Sequence, residues 1–209
     1  MKRCFDLLSA VLGLMLMWPA ILAIGLLIKA EDHGSVFYRG PRVGLGGNSF
    51  RILKFRTMHP DAERFDVMST ANDDPRITRI GSVLRRYKLD EIPQLWNVLC
   101  GEMSLVGPRP EVQRFVDLYT DEEKAILTVR PGLTDWASLW NIDEGAILEG
   151  SADPDQAYFE LIRPKKIHLQ LAYVRLAGFR TDLGILLRTV GAVLFRVKFR
   201  DPRVLELGT

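Results

Sequence analysis

The apolar and polar positions divide this chain into unlike parts. From Leu7 to Ile28, LLSAVLGLMLMWPAILAIGLLI runs for 22 residues without a charge, which predicts a helix of roughly 33 Å, long enough to cross the hydrocarbon core of a bilayer. Lys2, Arg3 and Lys29 bracket it. A cleaved signal peptide would have an apolar region of about 7–15 residues and a small-x-small cleavage site, and neither fits. Pro19 lies near the midpoint, where it removes a helix hydrogen bond and crowds the carbonyl four residues back. Two geometries follow: a kinked span, or a re-entrant hairpin whose two arms, each roughly 17 Å, enter and leave the same leaflet. Basic residues at both ends are compatible with both ends facing the cytoplasm.

Beyond this segment the periodicity shortens. SVFYRGPRVGLGGNSFRILKFRTM holds two β-prone runs, Val36–Arg39 and Phe50–Phe55, predicted to pair as a hairpin across the Gly-rich turn. The GLGG turn has neither GK[ST] nor a GxGxxG opening a helix, so the bland reading is a turn and not a phosphate cradle. Lys54 and Arg56, two apart on a strand, share a face that could meet an anion or simply face solvent. Ile80, Val83, Leu84 and Tyr87 then recur at helical spacing, with Arg79, Arg85, Arg86 and Lys88 crowding the same element. Pro164 opens a further predicted helix, RPKKIHLQLAYVRLAGF. In DLGILLRTVGAVLFRVKFR, the residues Leu183, Leu186, Leu187, Val190, Leu194 and Val197 form one stripe, with Arg188, Arg196, Lys198 and Arg200 interspersed. That pattern predicts an amphipathic helix lying on anionic headgroups, its alternative being a helix packed on the core.

Composition sharpens the picture. With 209 residues and 47% hydrophobic content, one domain plus an anchor is expected. The net charge is only +2, but its distribution is uneven. Val36–Lys88 carries 11 basic and 5 acidic residues, Glu111–Leu161 carries 3 and 12, and Arg163–Arg203 carries 10 and 2. Basic blocks can meet nucleic acid, phosphorylated substrates or anionic lipid. A nucleic-acid binder is disfavoured, because no aromatic-rich strand motif or recognition helix is present and such a protein would not need the anchor. Cys4 and Cys100 are too far apart in sequence to suggest a disulfide framework or a zinc site, and His33, His59 and His168 are equally scattered.

The densest chemistry lies in KLDEIPQLWNVLCGEMSLVGPRP, residues 88 to 110. Asp90 and Glu91 stand between the arginines of the preceding helix and Arg109, which is held between two prolines. One reading is structural: Asp90 caps a helix whose first turn holds Glu91 and Pro93 and whose body is Leu95, Trp96, Val98 and Leu99. The other is chemical. A carboxylate beside several arginines can attack phosphorus to give an acyl phosphate, while a neighbouring glutamate holds Mg²⁺ against diphosphate oxygens and a guanidinium on stiff backbone binds phosphate through two N–H groups.

At this point the chain resembles the bacterial sugar transferase family, the monotopic phosphoglycosyl transferases that begin assembly of lipid-linked glycans. The resemblance runs nearly end to end: the basic start and Pro-broken apolar segment, FRILKFRTM, LRRYKLDEIPQLWNVLCGEMSLVGPRP, and VRPGLTDWA at Val129–Ala137. It implies transfer of a phosphosugar from a UDP-sugar to polyprenol phosphate, undecaprenyl phosphate being expected, with polyprenyl diphosphosugar and UMP as products. By motif position it implies that Asp90 is the nucleophile, Glu91 the Mg²⁺ ligand, Arg85 and Arg109 phosphate-binding groups, and Lys54 a further cation of the site; Arg56, expected on the same strand face as Lys54, is expected to bind substrate with it. It also implies that the Pro19 segment is a re-entrant hairpin at the bacterial inner membrane, with the active site on the cytoplasmic face, and that the chain is the family's minimal catalytic form. Two departures stand out. Trp18 replaces the serine often found before the proline, and Asp135 stands where members commonly have glycine. The resemblance implies that GLTDWA borders the nucleotide sugar, so Asp135 is expected to contact substrate, as an acidic rim altering sugar preference.

The expected fold is α+β and mainly helical, with a re-entrant membrane helix hairpin over residues 1–30. A cytoplasmic-face catalytic domain over residues 31–209 carries a small β-hairpin and interfacial amphipathic helices. A membrane-anchored scaffold without catalysis is the alternative function, and dimerisation through the acidic middle block is left open.

Overall fold

The computed structural model describes residues 1–64 and 69–195. The apolar run forms α1, Lys2–Asp32, one helix that continues through Pro19 where the hairpin reading expected two separate arms. Burial along α1 falls near its two ends, at Asp6 and Ala10 and again at Ile24 and Ile28. Between them Leu12, Met15, Leu16, Trp18 and Leu22 are exposed.

Both ends of α1 are tied to the same body. Near the start, the Asp6 carboxylate accepts from Ser104 Oγ at 2.8 Å and from the Leu105 amide at 3.3 Å. Lys2 Nζ donates to the Val106 carbonyl at 3.0 Å and pairs with Asp182. At the far end, Glu31 Oε1 accepts from the Arg79 and Ile80 amides, and Asp32 forms a forked ion pair with Arg56. Ile24 and Ile28 join Phe55 and Leu84 in a small core.

The predicted hairpin is present: β1, Phe37–Val43, pairs antiparallel with β2, Ser49–Phe55, in the register Tyr38 to Lys54 and Arg39 to Leu53. The Gly-rich turn places Gly46 and Gly47 at φ 67° and 81°, the left-handed region that glycine enters without steric cost. α2 spans Arg79–Arg86, and Thr78 caps it by accepting from the Gly81 amide at 2.9 Å. A Cβ on Gly81 would lie 2.1 Å from the Thr57 carbonyl oxygen; only glycine lets α2 sit this close to the end of the hairpin.

After a 3₁₀ turn, Leu89–Glu91, α3 runs from Gln94 to Cys100. β3, Ser104–Val106, leads into GPRP, and α4, Gln113–Val116, follows. β4, Gly132–Thr134, pairs parallel with β3. The short helices α5 (Trp136–Trp140), α6 (Glu144–Leu148) and α7 (Pro154–Ala157) come next. A π-helical turn, Tyr158–Ile162, joins α7 to α8, Arg163–Leu176, and α9 is Phe179–Phe195. The main core gathers Ala10 of α1, Ile52 of β2, Val98 of α3, Leu105 and Val106 of β3, Trp136 and Leu139 of α5, Leu169 and Tyr173 of α8, and Ile185 of α9. On α9, Leu183, Leu187 and Val190 are exposed while Leu186 packs on that core, so the predicted stripe divides between two surroundings. The side chain of Leu194 and residues Arg196, Val197, Lys198 and Arg200 lie outside the described residues.

Candidate active site

The 3₁₀ turn settles what Asp90 does not do. Lys88 takes φ 56°, so the chain turns sharply before Leu89, and Asp90 sits inside the turn with its carboxylate directed inward. It is 6% exposed. α3 starts after Pro93 without any side-chain cap. The capping reading is therefore corrected: Asp90 Oδ1 is buried without a hydrogen-bond partner. An uncompensated buried acceptor of this kind costs about 1–3 kcal/mol, and such groups persist where another need outweighs the cost.

Beside it, Glu91 is clasped by cations. Arg109 Nη1 donates to Oε2 at 2.9 Å, Nη2 pairs with Oε1, and Lys54 Nζ donates to Oε1 at 3.3 Å. Arg109 is held in place by its neighbours. The Gly132 amide donates to the Pro108 carbonyl at 3.0 Å and the Gly107 amide to the Thr134 carbonyl at 3.0 Å, stitching GPRP to β4. A Cβ on Gly132 would fall 2.1 Å from the Gly107 nitrogen, so this close crossing needs glycine. Arg85, on the last turn of α2, donates from Nε to Thr57 Oγ1 at 3.0 Å, and the Asp90 and Asp74 charges partly offset the burial that depresses its guanidinium.

The two carboxyls are pushed in opposite directions. Burial raises Asp90 above the usual carboxylate range, with Lys54, Lys88 and Arg109 pulling back and Glu91 adding to the rise. Burial also opposes charge on Glu91, but Arg109 and Lys54 outweigh it and hold that carboxyl well below its usual range. Burial depresses Lys54, and Glu91 restores part of the loss. Glu91 is thus an anion fixed by cations. Asp90 is the group poised to change charge, and separated environments of this kind are how one site assigns different roles to adjacent carboxylates.

Lys54, Arg85, Asp90, Glu91 and Arg109 are brought together. Arg56 is not with them. β2 ends at Phe55, and Arg56 turns to α1, donating from Nε to the Ser35 carbonyl at 2.6 Å and from Nη1 to Asp32 and the Met58 carbonyl. It is a buried clamp on the end of α1. Asp135 is likewise displaced from the expected rim: it is wholly buried and caps α5, Oδ1 accepting from the Ser138 amide and hydroxyl at 2.7 Å each. Asp135→Ala is expected to lower stability by about 1 kcal/mol in chemical denaturation, the worth of a lost cap, while leaving the ratio of reaction with two UDP-sugars unchanged; a changed ratio would return Asp135 to the substrate.

Sequence reasoning missed Gln94. It is fully buried, and neither its Nε2 nor its Oε1 has a partner. Ile92 and Pro93 both keep right-handed helical backbone, so Gln94 follows Asp90 on the same face by one turn. The i, i+4 spacing in DEIPQ was the available signal. An amide there can donate to a carboxylate or to an incoming phosphate oxygen.

No cluster of three or more metal-ligating side chains occurs among the described residues. Mg²⁺ bound mainly through phosphates needs only one or two carboxylates. Glu91 Oε2 has a single donor, from Arg109, which leaves it a lone pair, so the residues present fit such an ion.

With this geometry in view, the comparisons are decisive. The sequence profile of the bacterial sugar transferase family matches residues 1–196. The chain belongs to that family. The exopolysaccharide production protein ExoY of Rhizobium meliloti is 39% identical over 207 residues, covering 92% of this chain and 84% of its own. The UDP-glucose:undecaprenyl-phosphate glucose-1-phosphate transferase of Caulobacter vibrioides is 39% identical over 196 residues, covering 92% and 69%. The UDP-N-acetylgalactosamine-undecaprenyl-phosphate N-acetylgalactosaminephosphotransferase of Aeromonas hydrophila is 36% identical over 197 residues, covering 92% and 43%. As a family member, the chain keeps its charged cluster within the matched region.

Proposed function

We propose that this protein transfers a phosphosugar from a UDP-sugar to undecaprenyl phosphate through a covalent aspartyl intermediate. The observation that carries this reading is the buried Asp90 oxygen without a partner, set beside Lys54, Arg109 and Arg85. An Asp90 oxygen attacks the phosphorus that bears the sugar; the P–O bond to UMP breaks, and UMP leaves with the bond's electron pair. A phosphate oxygen of the polyprenyl acceptor then attacks the acyl phosphate, which restores the Asp90 carboxylate and yields the polyprenyl diphosphosugar. Arg109 and Lys54 stabilise charge on the transferring and leaving phosphates. Mg²⁺, when bound, neutralises diphosphate charge, and Glu91 would hold it. The names of the related transferases support the reaction class.

The reaction is placed at the cytoplasmic face of the inner membrane, with α1 entering one leaflet. What supports this is that α1 carries no charge from Leu7 to Ile28, has an exposed apolar middle, and has both ends held by one body. A helix crossing the bilayer would leave its ends about 30 Å apart on opposite sides. The exposed Leu183, Leu187 and Val190 of α9 support a second contact with the interface.

Incubating the purified protein with Mg²⁺ and single UDP-sugars, without lipid acceptor, is expected to add the mass of one phosphosugar and release one UMP. UMP released only with acceptor present, and never an adduct, would favour direct transfer and overturn the two-step route.

A further inference from the structure

We infer that a groove on the outer face of the β-hairpin binds the phosphate of an anionic phospholipid headgroup, at a site separate from the reaction centre. Strand alternation puts Arg39, Arg51 and Leu53 on one face and Lys54, the cation on Glu91, on the other. Arg39, Arg51 and Leu53, with Trp96 and Cys100 of α3, line a groove of about 160 Å³. That is smaller than the pockets of roughly 300–1,000 Å³ that enclose whole cofactors or drug-sized ligands, but roomy enough for a phosphate group.

The groove is built rather than accidental. Asn97, 2% exposed, forms its floor, accepting from the Leu53 amide at 2.9 Å and donating to the Arg51 carbonyl at 2.9 Å and to Glu102 at 2.7 Å. The side chains of Arg39 and Arg51 are exposed and make no ion pair among the described residues. Glu102 is the one carboxylate lining the groove. Two guanidiniums and one carboxylate, itself held by Asn97, therefore line the groove; nearby, at the C-terminal end of α3, Arg3 donates to the Leu99 carbonyl and Arg130 to the Gly101 carbonyl.

Position identifies the occupant. Leu95, next to Trp96, packs on Gly13 in the middle of α1: a Cβ on Gly13 would lie 2.9 Å from Leu95 Cδ1. The neighbouring Leu12 and Leu16 are 68% and 69% exposed, and Trp96 is 55% exposed. The groove therefore opens beside the apolar surface that meets lipid. Tryptophan and arginine side by side at such a border suit the headgroup layer.

The proposal rests on the membrane-face reading above, and flotation with vesicles separates the two. The full chain is mixed with phosphatidylcholine vesicles, with or without phosphatidylglycerol, free of polyprenol phosphate and at physiological salt. Binding is expected to be tighter with phosphatidylglycerol. That preference should fall about 5-fold for Arg39→Gln or Arg51→Gln and on the order of 25-fold for both, with binding to neutral vesicles retained. Arg79→Gln/Arg86→Gln, which removes equal charge from α2, should keep the preference. An equal loss in that control, or an undiminished preference in the Arg39/Arg51 pair, would each overturn the site. Failure of the parent to bind any vesicle would overturn the membrane reading itself.

Discussion

Asp90→Asn is expected to abolish the phosphosugar adduct and lower turnover by on the order of 10³-fold or more, the scale on which loss of a nucleophile registers, while the protein becomes more stable. The two effects share a cause. Burial raises the Asp90 carboxyl, so its stabilising contribution is complete below the ordinary aspartate range and is lost as pH rises through the folded value. Asparagine carries no charge to desolvate, so at pH 7 the variant should be more stable than the parent in denaturant unfolding. A helix cap would behave oppositely, losing about 1 kcal/mol on replacement by a residue that cannot cap, and Asp90→Ala separates the two readings. In the parent, the adduct rate should climb with pH through the Asp90 titration, and an adduct undiminished in Asp90→Asn would exclude it as nucleophile.

Arg109→Ala carries the second large effect. Glu91 would keep only Lys54; breaking a fully buried pair from one side costs about 3–5 kcal/mol, and the partial exposure of Arg109 puts this loss at or below the lower end of that range. The pH dependence should invert. In the parent, Glu91 lies below its usual range, so its contribution is present above the ordinary glutamate value and is lost as pH falls through the folded one. Without Arg109, burial dominates, the carboxyl rises, and stability instead declines as pH increases. Adding Glu91→Gln should recover most of the lost stability and none of the activity, because the amide relieves the unpaired charge but returns neither the phosphate fork nor the anion. Thermal unfolding of both variants across pH 4–8 measures this, and a double variant no more stable than Arg109→Ala would show that Arg109 supports the fold by other contacts.

The opposed states of Asp90 and Glu91 also show how one turn can serve two purposes. Arg109 currently grips Glu91 as it would grip a phosphate.

Much was legible from local pattern. The 22-residue apolar run became α1, the two β-prone runs around GLGG became β1 and β2, the Ile80–Tyr87 periodicity became α2, and Pro164 opened α8. These depend on period, turn chemistry and composition, which neighbours in sequence suffice to express. The closeness of Asp90, Glu91 and the arginines was visible in the same way. What the local pattern could not separate was role. Asp90 at a helix start looks like a cap until the backbone turns at Lys88 and carries it inside. Lys54 and Arg56 look equivalent on a strand until β2 ends between them, one meeting Glu91 37 residues away and the other Asp32 24 residues away.

The sequence by itself therefore determined the long apolar helix, the β-hairpin, α2 and α8, and the inventory of charge. The tertiary structure alone decided which charges meet, which carboxylate oxygens are left without a partner in the interior, and that both ends of α1 rest on one body. The reason is physical. Propensity and periodicity act over a few residues, whereas desolvation and ion pairing depend on partners that only folding brings within a few ångströms.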